Sequence, residues 1–142
     1  MISTTHLHPM LVHFPIALVV FGFIAELALL FFKKEVCLTK MGFYLLIFGT
    51  LSAIMAWLTG NFFTSEMAGA AGDVKESHEL FASITLGTLL VTSVLRIILQ
   101  TNKNENPGLK WVAFGLYGLA AISVSITGFY GGTLVYNYMM AL

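Results

Sequence analysis

The residues in this chain best suited to chemistry are four histidines: His6, His8, His13 and His78. Neutral imidazole is the commonest metal ligand among side chains. Two imidazoles on facing helices are what a six-coordinate haem iron needs, one on each face of the ring. Cys37 is the only cysteine, so no CxxCH attachment motif exists and such a haem would be b-type and non-covalent. The same imidazoles suit zinc or copper, with Glu66, Asp73, Glu76 and Glu79 able to add oxygens, although none of these has a diagnostic spacing. The plainer use of a histidine at a helix end is as an interfacial polar residue or a cap partner. His6 reads that way, His8 reads equally well either way, and His13 and His78 read as ligands because an apparent repeat, described below, pairs them.

The elements that must hold these histidines are apolar helices. Hydrophobic residues make up 58% of the 142-residue chain and charged residues 10%, against about a quarter charged in a soluble domain. The formal net charge is zero, so no nucleic-acid partner is indicated. Four apolar stretches, at 10–32, 41–63, 80–99 and 111–130, are each close to the roughly 20 residues a helix needs to cross a hydrocarbon core. Only helices and closed barrels satisfy their own backbone there. The expected architecture is all-α: a single integral membrane domain over 1–142, a four-helix bundle with helices at about 10–32, 41–63, 78–100 and 109–138. The first stretch does not read as a signal peptide, because no Lys or Arg precedes it and Lys33 and Lys34 follow it.

Basic residues set the expected orientation. Lys33, Lys34 and Lys40 lie between the first and second stretches, and Arg96, Lys103 and Lys110 lie at or between the facing ends of the third and fourth. Only Lys75 lies in the second connection. The positive-inside rule then puts both termini and the second connection on the outer, non-cytoplasmic side. All four histidines fall on that outer side. Pro107-Gly108 punctuates the third connection.

The spacing suggests two duplicated helical hairpins. His13, Ala17 and Gly22 match His78, Ala82 and Gly87 at an offset of 65, while Ala53, Thr59 and Gly60 match Ala121, Thr127 and Gly128 at an offset of 68. Such hairpins would be related by an axis along the membrane normal. Small residues recur at three- and four-residue spacing on the second stretch (Gly49, Ala53, Ala56, Gly60) and the fourth (Gly118, Ala121, Ser125, Gly128, Gly132). They allow close helix packing or clearance for a flat cofactor. Pro9 suits a first helical turn, whereas Pro15 should kink the helix or free a carbonyl near Leu11. Glu26 lies thirteen residues past His13, about 20 Å deeper, within reach of Arg96 as a structural partner. Gly131-Gly132-Thr133-Leu134-Val135-Tyr136 follows the fourth apolar stretch, and Tyr136 and Tyr138 read as interfacial aromatics or as phenol contacts to a cofactor edge.

His8-Pro9-x-x-Val12-His13-Phe14-Pro15-Ile16-Ala17-Leu18 resembles the opening signature of a family of small bacterial membrane proteins, the domain of unknown function 2231. Thr59-Gly60, His78 and the terminal Gly131–Tyr136 segment extend the resemblance over the chain. It implies a four-helix layout, and the joining of some related chains to Rieske-type domains implies respiratory redox partners. Two readings follow. In one, the chain is a b-type haem electron carrier with His13 and His78 as axial ligands, and with His8 and Tyr136 beside them or at the propionates. In the other, it is a non-catalytic membrane subunit or scaffold, alone or as a homo-oligomer; a zinc or copper site is the narrower alternative. Its partners are the lipid bilayer and neighbouring proteins, and it reads as a carrier or subunit more than a stand-alone enzyme.

Overall fold

In the computed structural model the chain is described over residues 7–64, 66–103 and 106–138. It folds into α1 (Leu7–Leu11), α2 (His13–Phe31), α3 (Val36–Phe63), α4 (Ala70–Thr101) and α5 (Pro107–Tyr138), with no strand among the described residues. α1 and α2 form one span, His8–Phe31, so four helices are long and apolar enough to cross a membrane. The break between them falls at Val12 because Pro15 has no N–H to give the Leu11 carbonyl. Val12 keeps right-handed helical angles (φ −62°, ψ −23°), and its N–H reaches the His8 carbonyl at 3.1 Å, so the two pieces stay nearly continuous.

Helix ends follow local chemistry. Asn106 caps α5, its side-chain oxygen accepting from the Gly108 N–H at 2.9 Å, and Pro107 occupies the first turn, where a missing N–H costs nothing. Gly69 precedes α4 at φ +63° and ψ −146°, a conformation open to glycine and little else. The helices begin before the apolar stretches do, and two of them by more than a turn. α4 starts at Ala70 rather than 78, and α3 at Val36 rather than 41. Hydropathy marks where lipid begins, whereas a helix continues as long as its backbone bonds and side-chain pairs support it; Lys75 and Glu79, four apart on α4, form such a pair. The Gly131–Tyr136 segment, past the fourth apolar stretch, likewise belongs to α5.

The two hairpins, α2–α3 and α4–α5, are each closely packed, and they meet through α2 against α5 and α3 against α4. That places α2 diagonally opposite α4, across the bundle axis. A central layer takes one fully buried side chain from each long helix: Val19, Leu46, Leu89 and Tyr117. Large apolar residues such as Phe21, Phe48 and Ile122 are exposed on the outside, the arrangement lipid requires.

The hairpins do repeat, but in a different register from the one the sequence suggests. Buried Val19 and Leu89 stand 70 apart, and buried Leu46 and Tyr117 stand 71 apart. The extra residue comes from the connections, 32–35 in the first hairpin and 102–106 in the second. The match of Gly22 with Gly87 is coincidental. Gly22 is buried against the Tyr117 hydroxyl, with Leu45 Cβ 2.9 Å from where its own Cβ would stand, whereas Gly87 is exposed with nothing within 4 Å of that point.

Candidate functional site

One end of the bundle brings two histidines together across the axis. His8, on α1, and His78, two turns into α4, lie with ring centres 6.2 Å apart and planes at 87°. They stand 70 apart, the same register as Val19 and Leu89. Each ring is tied to the other helix of its own hairpin. His8 Nδ1 donates to the Ala56 carbonyl at 3.0 Å, with Thr59 Oγ1 at 3.2 Å. His78 Nδ1 donates to the Thr127 carbonyl at 3.0 Å. Residues 56 and 127 are 71 apart, so the anchors repeat along with the rings. A carbonyl can only accept, so Nδ1 carries the proton in both rings and a neutral ring presents the lone pair on Nε2.

Glycines make room for both rings. A Cβ on Gly60 would stand 3.0 Å from His8 Cε1, and one on Gly131 would stand 3.2 Å from His78 Cε1. These glycines are also 71 apart. The glycines of α5 therefore divide in role. Gly118 and Gly128 pack against Phe23 and Ile16 of α2, Gly131 clears the imidazole, and Gly132 has open space beside it.

A cavity of about 360 Å³ opens at this end between the hairpins. His8, His13, His78, Lys75, Glu79 and Tyr136 all contribute to its walls, with Gly60 and Gly131 behind the rings. His13 reaches the cavity but is exposed, and its Nδ1 donates to the Pro9 carbonyl of α1, four residues back, at 2.7 Å. Among the described residues, the histidine ring contact is His8 with His78, and His13 takes no part in it. Tyr136 stands at the rim, 84% exposed. His6 lies outside the described residues.

The donor set can be compared with what each metal group needs. With a metal–nitrogen bond of about 2 Å and about 1 Å from nitrogen to ring centre, two imidazoles on opposite sides of one metal have ring centres about 6 Å apart. The observed 6.2 Å fits that sum. No group of three or more His, Cys, Asp or Glu residues is placed to hold a metal among the described residues. Zinc or copper held by protein alone draws on three or four such ligands. A haem iron draws on only two, since its ring supplies the other four, and metal-bound imidazoles typically give their second nitrogen to a carbonyl. The residues present therefore fit a haem better than a bare ion.

The opposite end carries a different pair. Glu26 of α2 and Arg96 of α4, again 70 apart, form an ion pair through Oε1 and Nη2 across the axis. Glu26 is buried, and Arg96 Nε has no hydrogen-bond partner among the described residues. Gly42 gives the carboxylate its space, for a Cβ there would stand 2.5 Å from Glu26 Oε1. The Gly42 carbonyl accepts from the Tyr117 hydroxyl at 3.5 Å. Buried hydroxyls link the helices between the two ends. Thr85 donates to Ser123 at 2.9 Å, and Thr50 and Ser93 meet at 2.8 Å.

Comparison with known proteins adds the family. Residues 4–142 match the domain of unknown function 2231 family, described as a predicted membrane protein, and the chain belongs to it. No curated protein and no solved structure matches the chain.

Proposed function

We propose that this member of a membrane-protein family is a b-type haem carrier of single electrons, with His8 and His78 as the axial ligands. The observation that carries the reading is the histidine pair itself: two rings across the axis, 6.2 Å apart, each with Nδ1 donated to a backbone carbonyl. Haem supplies the redox chemistry when bound. The chain holds the two imidazoles at a set separation, fixes their tautomers and leaves glycine-cleared space beside them. His13 and Tyr136, at the cavity wall and rim, then shape access without ligating. The chain is a single domain whose redox partners are respiratory membrane proteins.

The test is an absorption spectrum of protein purified from haem-replete cells. Two neutral imidazoles give a low-spin, six-coordinate signature. His8→Ala and His78→Ala each convert it to a high-spin form or abolish it, and His13→Ala leaves it unchanged. A colourless, folded protein overturns the reading, as does a low-spin spectrum that survives both the His8 and the His78 substitutions.

The same proposal places the histidine end outside, in the periplasm of a bacterium, on the balance of six basic residues against one. Cys37, exposed near the start of α3, reports on this. It should resist a membrane-impermeant thiol reagent in intact cells and react once the membrane is opened; labelling in intact cells reverses the orientation.

A further inference from the structure

Lys75 stands one turn before His78 on α4 and lines the same cavity. Its side chain is only 10% exposed, an uncommon degree of burial for an ammonium group. Two carboxylates hold it: Glu79 Oε1 at 3.2 Å and Glu66 Oε2 at 3.3 Å. The two partners are not alike. Glu79 sits on the same helix, whereas Glu66 comes from the segment before α4 and its side chain is 97% exposed. Water solvates Glu66 nearly as well away from Lys75 as beside it, so this contact contributes little to stability and is readily exchanged. Among the described residues lining the cavity, Lys75 is the one Lys or Arg. A buried cation at the wall of a ligand-sized cavity, held in part by a partner that leaves at little cost, is suited to receive an anion.

We propose that Lys75 receives a carboxylate arm of the molecule held between His8 and His78, and that Glu66 occupies the place of that carboxylate until the molecule binds. This rests on the haem reading and adds selectivity to it. Haem b carries two carboxylates, and its dimethyl ester presents the same ring and iron without them. Lys75 is then the residue that distinguishes the acid from the ester. An ammonium–carboxylate contact in a partly dry site is strong enough to be read in a titration.

The experiment titrates cofactor-free protein in detergent with ferric haem b and, separately, with its dimethyl ester, following the absorption spectrum. Lys75→Met keeps the aliphatic stem and should weaken haem b on the order of tenfold while leaving the ester unchanged. Lys75→Arg should retain tight binding of haem b. Glu66→Gln removes the competing carboxylate and should tighten haem b but not the ester. Equal affinity of Lys75→Met and the parent for haem b, with a two-imidazole spectrum in both, overturns the assignment and leaves the haem reading standing. If Lys75→Met does not fold, Glu66→Gln decides: no gain for haem b overturns the proposal. A parent protein that gives a two-imidazole spectrum with neither porphyrin overturns the haem reading, and this assignment with it.

Discussion

At one end of the bundle residues 8 and 78 meet as two like rings; at the other, residues 26 and 96 meet as opposite charges. Both pairs join α1–α2 to α4 across the axis, and both keep the 70-residue spacing. Glu26 and Arg96 neutralise each other's charge across the axis. The two imidazoles here do not pair in that way. Each spends its proton on a carbonyl of its own hairpin and keeps one lone pair, and a cavity remains beside them. The same scaffold position therefore serves as a clamp at one end and as an open site at the other, according to whether the two residues complement each other. Between the ends lies the fully buried layer of Val19, Leu46, Leu89 and Tyr117, so neither pair depends on the other for its surroundings.

Substitutions can break this contrast. The largest effect belongs to the clamp. Glu26→Ala should destabilise the protein by about 3–5 kcal/mol, because it leaves Arg96 charged and unpaired in a dry environment. Thermal unfolding in detergent measures this, and replacing both residues together with Leu should restore most of the loss. A Glu26→Ala protein as stable as the parent would mean that water reaches Arg96 freely and that this end is as open as the other.

A smaller effect tests the register on which the comparison rests. Gly22→Ala should cost about 1–3 kcal/mol, since the new methyl meets the Tyr117 hydroxyl and Leu45. Gly87→Ala should be neutral or slightly stabilising, with open space beside it and a better helix former in place. Equal costs at the two glycines would restore the 65-residue repeat and with it the pairing of His13 with His78.

The smallest effect is expected at the open site. His78→Ala removes one hydrogen bond to the Thr127 carbonyl and should cost the cofactor-free protein about 0.5–1.5 kcal/mol in the same unfolding measurement. A loss as large as that of Glu26→Ala would make the histidine pair a second clamp.

Much of this architecture is legible in the sequence. Four apolar runs and a nearly uncharged interior leave membrane helices as the available solution, and Glu26 with Arg96 can be anticipated because an embedded charge needs a partner. His13 and His78 stand out as candidate ligands, with His8 beside them, for the same reason. Their pairing does not, because it depends on register. Gly22 matches Gly87, and His13 matches His78, by residue type alone. Burial distinguishes Gly22 from Gly87, and the contact of His8 with His78 comes from α1 and α4 running helical beyond the apolar stretches. Hydropathy carries no signal for those polar turns. The Lys75–Glu66 contact is harder still to foresee, since it joins a helix to an irregular segment nine residues earlier and has no periodic signature.

The one-residue difference between connections 32–35 and 102–106 means that the two hairpins are similar without being identical. Two identical hairpins assembled as a symmetric dimer could supply a histidine pair, because the same residue would meet its own copy across the axis. They could never supply Glu26 opposite Arg96: identity would set two carboxylates or two guanidinium groups face to face. The imidazole site is thus compatible with two like halves, whereas the ion pair requires that the halves differ at this position.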